Sequence, residues 1–569
     1  MRYASSVRRV LLVLCCVAVS AGVAAAAAAG EAECSQLARM TRWPDPTTRI
    51  ESTSWRAAGF ELKSMTGSAV LPAHCEVTAV MRERVGVDGQ HYAIRFRLRL
   101  PQDWNRRFFF QGGGGTNGDI GDATGGIAAG APTALARGYA VVSQDSGHDN
   151  ARNSLPERGG LVAFGFDPQA RADYGGASLK PVADASKAVV TAFYGSRPER
   201  SYFVGCSKGG QEGMALAQRY PDEFDGIVSG SPGFSLPRAA LAEAWDTQAF
   251  ASLIGSDQSG SRAQASQLPA TFSNAQFAKL REAVLAACDG DDGVKDGITA
   301  NWSACDWPRV KARMLEQVCT DSPECVSRAQ VDVIERVYSG AKDSKGHALY
   351  ASWPLDAGIG SDGWRAWKIG PAGGKFPGIN VAMGGPALAA IFTTPPTAIR
   401  AMGPDAFDYV LKFNFDRDTS KLYAADATFR RSAWADMSAR SADMSAFRRH
   451  GARMIVSHGV SDPVFSMNDT VQWYRELDHL NGGKAASFVR LFPVPGMAHC
   501  AGGPATDQFS AFDALVDWVE KGTAPETILA KAGPASPWPG RTRPLCAYPK
   551  VARYKGAGSI EDADSFRCE

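Results

Sequence analysis

From residue 92 onward, apolar side chains gather into short runs that end in glycine. Residues 92–100, 107–110 and 139–143 are rich in aromatic and β-branched side chains, as strands are, and the second run leads directly into Gly112-Gly113-Gly114-Gly115. A helical spacing over 181–194 precedes the apolar run 201–204, which closes on Gly205-Cys206-Ser207-Lys208-Gly209. Gly226-Ile227-Val228-Ser229 reads as another strand. Regular alternation then gives way to a long stretch rich in Ala, Gly, Pro, Trp and Asp. It returns at 453–457 and 488–492, before a helix over 507–521. Strands alternating with helices predict an α/β architecture with a largely parallel sheet. The expected organisation is one core, 30–233 and 442–569, interrupted by an insertion, 234–441, that covers the active site as a lid. A separate domain with its own function is the other reading of that insertion.

Residues 1–29 carry Arg8 and Arg9, an apolar run and an alanine-rich stretch with several A-x-A sites, the layout of a cleavable secretory signal peptide. The apolar run is short for a bilayer span of about 20 residues, and no later segment reaches that length, so no membrane association is expected after cleavage. Of the 12 cysteines, Cys15 and Cys16 fall inside the signal. The remainder is an even set in a chain bound for an oxidising compartment, extracellular or periplasmic. Local spacing suggests Cys34 with Cys75, Cys288 with Cys305, Cys319 with Cys325, and Cys546 with Cys568, leaving Cys206 and Cys500; spacing alone does not fix the connectivity. Neither a C-x-x-C pair nor a zinc-type His/Cys cluster occurs. With 45% hydrophobic and 21% charged residues the chain has material for a large core, which excludes disorder, collagen and a coiled coil. A formal charge of +2 without a basic cluster argues against nucleic acid as a partner.

Gly205-Cys206-Ser207-Lys208-Gly209 fits the G-x-S-x-G turn in which small neighbours let a serine project from a sharp strand-to-helix junction. A serine hydroxyl needs a base to take its proton and a carboxylate to orient that base. Asp462 and His499 follow in the required order, each just past a strand-like run. His458 and His148 are rival bases, and a thiol at Cys206 is a rival nucleophile. Cys206 precedes the serine and Cys500 follows the histidine, so a bridge between them would tie the two loops together and fix the hydroxyl-to-imidazole distance.

This arrangement resembles the tannase and feruloyl esterase family of α/β-hydrolases, whose catalytic Ser and His are flanked by paired cysteines. The likeness runs over nearly the whole mature chain. It is strongest to the branch that hydrolyses terephthalate monoesters, at 112–118 (GGGGTNG), Gly147-His148-Asp149-Asn150, 166–171 and 541–546. The spacings of the suggested bridges also resemble the family's. The resemblance implies an α/β-hydrolase fold with a large lid insertion. It implies a secreted carboxylic ester hydrolase of small-molecule aromatic esters that works through a Ser-His-Asp triad and an acyl-enzyme, with no organic cofactor. It places the oxyanion hole at the N–H groups of Gly115 and Lys208, the donor pair that acyl-transfer chemistry asks for. A tannase acting on gallate esters, and a non-catalytic binding protein on the same scaffold, remain alternatives.

Asp289, Asp291, Asp292 and Asp296 crowd one glycine-rich turn, a density that calls for a cation or solvent to screen it. It is not an EF-hand, since Ala300 stands where a bidentate Glu is needed. The family binds a structural calcium in a similar segment, which would assign Asp289, Asp292 and Asp296 as side-chain ligands and Val294 and Ile298 as carbonyl ligands. Trp353, Trp364, Trp367, Phe392, Phe413 and Phe415 crowd the insertion, and Phe465 follows the acid; by resemblance, Trp367 and Phe465 would face the substrate ring. The terephthalate branch clamps a distal carboxylate with a lid arginine. No arginine lies between Trp367 and Phe392 here: Ile379 falls near that place, and Lys368 and Lys375 are the nearby cations.

Overall fold

A computed structural model describes Met1 and residues 30–64, 67–255, 264–401 and 403–569; apart from Met1, the expected signal segment lies outside the described residues. Nine strands form the main sheet: β1 (Arg49–Arg56), β2 (His74–Val85), β3 (His91–Pro101), β4 (Arg107–Gln111), β5 (Ala140–Gln144), β6 (Arg200–Cys206), β7 (Gly226–Gly230), β8 (Arg453–Gly459) and β9 (Val489–Val494). Their spatial order is β1-β2-β3-β5-β4-β6-β7-β8-β9. Neighbours are antiparallel from β1 through β5 and parallel from there to β9.

The period-2 alternation of the parallel strands sorts their side chains onto two buried faces. Phe108, Phe110, Val142, Phe203, Ile227, Met454 and Leu491 point to one cluster, while Phe109, Val141, Tyr202, Val228, Ile455 and Phe492 point to the other. Helices α1 (Leu179–Tyr194) and α2 (Lys208–Arg219) cover the first face. On α1 the buried Val182, Ser186, Val189 and Phe193 recur at helical spacing, and Gly195 ends the helix at φ 72°, a left-handed cap. Each fully buried Phe or Val contributes roughly 1.5–3 kcal/mol. Helices on both faces of a mixed, mainly parallel sheet make this an α/β-hydrolase-type fold.

The chain between β7 and β8 is helical, and its elements include α3 (Leu236–Ala251), α4 (Asn274–Cys288), α5 (Arg328–Tyr338), α6 (Asp362–Lys368) and α7 (Gly385–Ala390). Reciprocal caps start α4 and α5, Ser273 with Gln276 and Ser327 with Gln330. Their apolar side chains join one cluster that also takes in Phe164, Tyr174, Val464 and Phe465, so the insertion shares its core with loops at the sheet's edge. After β8 and β9 come α8 (Met467–Leu480) and α9 (Ala511–Lys521), the latter packing Phe512, Leu515 and Trp518 on the second face.

Among the described residues five disulfides are formed, Cys34–Cys75, Cys206–Cys500, Cys288–Cys305, Cys319–Cys325 and Cys546–Cys568. Among the described residues no helix is long and apolar enough to cross a membrane.

Candidate active site

Four segments converge at the carboxyl edge of the parallel strands. β4 runs into the glycine loop at 112–118, β6 into Ser207, β8 into the loop holding Asp462, and β9 into the loop holding His499. Ser207 sits between strand and helix at φ 64°, ψ −120°, a conformation that costs a non-glycine residue about 1–3 kcal/mol and thrusts its hydroxyl outward. The turn closes only because its neighbours are small: a Cβ on Gly205 would lie 2.5 Å from the Gly209 carbonyl oxygen, and one on Gly209 would lie 2.6 Å from that of Gly113.

His499 Nε2 is 2.8 Å from Ser207 Oγ, and its Nδ1 is 2.8 Å from Asp462 Oδ2. A carboxylate only accepts, so Nδ1 carries the proton and bare Nε2 receives the serine hydroxyl's hydrogen. The second oxygen of Asp462 accepts from the N–H groups of Val464 (2.8 Å) and Phe465 (3.1 Å). Burial works to raise the Asp462 pKa, but His499 and His458 outweigh it and hold the carboxyl well below the usual carboxylate range.

His458, the nearer rival, is buried with Nε2 3.0 Å from the Phe465 carbonyl oxygen and Nδ1 2.9 Å from Thr470 Oγ1. Its Nε2 also lies 3.4 Å from Asp462 Oδ2, so it buttresses the acid from behind. His148 is buried and stacks on Phe164 at 3.9 Å; burial pushes its pKa down to about 3, leaving it neutral. The Cys206 sulfur is bonded to Cys500 and is no free thiol.

Lys208 opens α2, where an N–H has no partner one turn back, and no described residue accepts from the N–H of Gly115. Three groups that sequence reasoning missed set this geometry. The Tyr174 hydroxyl donates to the Gly115 carbonyl oxygen at 3.1 Å, which holds the next peptide group along the loop. Buried Glu212 accepts from Gly113 N (2.9 Å), Asn117 Nδ2 (2.9 Å) and Lys208 Nζ (3.0 Å), binding the glycine loop to α2. Its four-residue offset from Lys208 on a helix is the one signal that could have found it. Asp356, from the insertion, accepts from Gly496 N at 3.0 Å and from the Ser461 hydroxyl, linking the loops of the histidine and the acid.

Ser207 and His499 border a cavity of about 340 Å³ whose wall includes Gly115, Lys208, Leu236, Trp367, Phe392 and Phe465. Trp367 and Phe465 both set their edges against the His499 ring, at 5.5 and 5.4 Å between centroids. Ile379 also lines the cavity. The lining Lys208 is paired with Glu212, and Lys368, behind the wall, with Asp246, so no unpaired cation borders the cavity among the described residues. Trp353, Trp364 and Phe413 are buried in the insertion's own core.

At the acidic turn, Asp289, Asp292 and Asp296 are all buried. Asp289 accepts from the N–H of Asp296 and Gly297, and Asp296 is held by Arg543. Asp292 Oδ2 is buried with no hydrogen-bond partner, and burial, with Asp296 and Asp289 adding to it, pushes that carboxyl up to about 7. An orphaned oxygen in an all-oxygen donor set fits a hard cation. Among the described residues the one trio of His, Cys or acidic side chains whose donor atoms lie within 4.8 Å of one another is Cys319, Asp321 and Cys325, and its disulfide removes both sulfurs as thiolate ligands; the carboxylates of the acidic turn stand further apart.

A family model described as "Tannase and feruloyl esterase" matches residues 75–569. The chain is 42% identical to mono(2-hydroxyethyl) terephthalate hydrolase of Piscinibacter sakaiensis, over 92% of this chain and 89% of that protein. It is 31% identical to a probable feruloyl esterase of Arthroderma benhamiae, over 87% and 85%. In fold it resembles feruloyl esterase B from Aspergillus oryzae, with a TM-score of 0.72 at 22% identity, covering 95% of this chain and 99% of that one. Agreement over so much of the length, in the core and the insertion alike, is that of common descent: the chain belongs to the tannase and feruloyl esterase family and is a carboxylic ester hydrolase.

Proposed function

We propose that the protein is an exported serine esterase that cleaves esters of aromatic acids by two-step acyl transfer. The observation that carries this reading is the unbroken hydrogen-bonded line from Ser207 Oγ through His499 to Asp462 at the mouth of an aromatic-walled cavity. As His499 Nε2 takes the hydroxyl proton, Ser207 Oγ attacks the ester carbonyl, and Asp462 stabilises the imidazolium that forms. Charge builds on the carbonyl oxygen within reach of the N–H groups of Gly115 and Lys208. His499 returns the proton to the departing alcohol, water repeats the attack on the acyl-enzyme, and the aromatic acid leaves. Five disulfides support export to an oxidising compartment.

Trp367, Phe392 and Phe465 suit a flat acyl group. A free distal carboxylate would meet Ile379 and no unpaired cation, which favours esters of uncharged aromatic acids over the terephthalate monoester named for the bacterial relative. The test is an organophosphonate titration followed by a substrate panel. One equivalent of label on Ser207 should abolish turnover, and kcat/KM should be higher for methyl ferulate than for the terephthalate monoester. Label on another residue, with activity lost in proportion, would refute the mechanism.

The acidic turn is proposed as a structural calcium site, with the carboxylates of Asp289, Asp292 and Asp296 and the carbonyls of Val294 and Ile298 as ligands. Bound there, the cation would neutralise the buried carboxylates and brace the insertion against the chain's C-terminal segment, where Arg541 donates to the Asp296 carbonyl oxygen. Chelation should lower the melting temperature by several degrees and calcium should restore it, since a ligand at 100 times its Kd stabilises by about 2.7 kcal/mol. An unchanged melting curve in EDTA, with no calcium released, would remove the site.

A further inference from the structure

The cavity holds a carboxyl group that the proposed reaction does not use. Glu243 lines the same cavity as Ser207 and His499 and is its one lining carboxylate among the described residues. The residue is 8% exposed, and no described residue makes a hydrogen bond to its carboxyl oxygens, although its backbone carbonyl accepts from the Thr247 hydroxyl. A buried carboxyl group without a partner is costly, so its persistence calls for one.

The surroundings leave room for that partner. A Cβ on Gly384 would collide with Glu243 Oε2, although Gly384 has ordinary helical angles (φ −63°, ψ −43°) that any residue could adopt. The glycine therefore serves space and not backbone conformation. Three charged or titratable groups face the carboxyl. Asp246, one turn further along α3, is committed to Lys368 from α6, and the Tyr174 hydroxyl is committed to the Gly115 carbonyl oxygen. None of them satisfies Glu243. Burial, partly opposed by Lys368 and reinforced by Asp246, pushes its pKa up to about 8. At neutral pH the group is then mostly a carboxylic acid, able both to accept and to donate.

Its place along α3 gives the distance scale. The Gly233 N–H donates to the Ser207 carbonyl oxygen at 3.1 Å, so the helix starts beside the nucleophile. Leu236, Ala240 and Glu243 line the cavity at one-turn spacings, which puts Glu243 about 10 Å along the axis from Leu236. That is the reach of an aromatic acyl group extending from the serine, with apolar walls between. We infer that Glu243 is a specificity-determining residue that hydrogen-bonds a hydroxyl substituent at the far end of the aromatic acyl group. The inference rests on the reading of this cavity as the acyl pocket of a serine esterase.

The test compares kcat/KM on methyl 4-hydroxycinnamate and methyl cinnamate for the wild type, Glu243→Gln and Glu243→Leu. The wild type should favour the hydroxylated ester by about 10-fold, because a site with a buried polar group is left unpaired by the analogue lacking the hydroxyl. Glutamine, which still accepts, should keep most of that preference, and leucine should bring the ratio close to one; Glu243→Ala replaces the leucine variant if that does not fold. Equal ratios in all variants, or no preference in the wild type, would overturn the assignment. So would a fall of both kcat/KM values by one common factor, the mark of a structural role. Turnover of p-nitrophenyl acetate by the wild type, and its loss on phosphonate labelling of Ser207, reports on the esterase reading independently.

Discussion

Replacing Ser207 with alanine should lower kcat on any ester substrate by about a million-fold while leaving the fold and all disulfides in place. The side chain makes one hydrogen bond, to His499, and the turn around it is held by backbone contacts: Ser207 N–H to the Gly230 carbonyl oxygen at 3.0 Å and Gly233 N–H to the Ser207 carbonyl oxygen. Neither depends on the hydroxyl. Alanine also inherits the positive φ of 64°, so the backbone cost is unchanged and the melting temperature should move by no more than a degree or two. Circular dichroism with steady-state kinetics checks both halves. Wild-type turnover in Ser207→Ala would discard the mechanism.

The next largest effect is expected from the double variant Cys206→Ala/Cys500→Ala. The bridge closes a sequence separation of 294 residues, a loop for which the chain-entropy model gives an upper figure of about 6 kcal/mol. It also joins the residue before Ser207 to the residue after His499, and Cys500 itself stands at φ 61°. Without it, the His499 loop is held at Gly496 by Asp356 and at the imidazole by Asp462. A displacement of about 1 Å at the imidazole is enough to lower kcat/KM roughly 100-fold. The variant should therefore melt well below the wild type and work at a small fraction of its rate. Unchanged kinetics would mean that the loops are positioned by packing alone, with the bridge serving stability only.

Much of this site was legible before any coordinates. Ser207, Asp462 and His499 announced themselves because each is a chemically specific residue directly after a strand-like run, in the order a triad of this kind requires. The strand assignments held to within a few residues: 201–204 extends to Arg200–Cys206 and 453–457 to Arg453–Gly459. β1 and β2 went unread: β1 is an edge strand with no buried side chain, and β2, though paired on both sides and largely buried over its first eight residues, carries His74, Glu76, Thr78 and the charged run Arg82-Glu83-Arg84, which blur the apolar signal. The insertion looked patternless, yet it is built of helices. α3 is buried on nearly every side and so carries little amphipathic period, and α4 is marked chiefly by its cap, Ser273 with Gln276; α5, capped by Ser327 with Gln330, does bury Val331, Ile334 and Val337 along one face, but over only about three turns.

Local chemistry along the chain was sufficient to point to the reaction class, because the proposed nucleophile elbow, acid and base are each defined by near neighbours in sequence. The surroundings of that chemistry depend on residues far apart in the chain. Glu212 bonds to Gly113 across 99 positions, Asp356 to Gly496 across 140, and Glu243 reaches the cavity only once the insertion has folded back over the sheet. A carboxylate acts as acceptor, counter-ion or buried acid according to what packs against it, through desolvation and neighbouring charge. Those are properties of the assembled interior, and no stretch of sequence contains them.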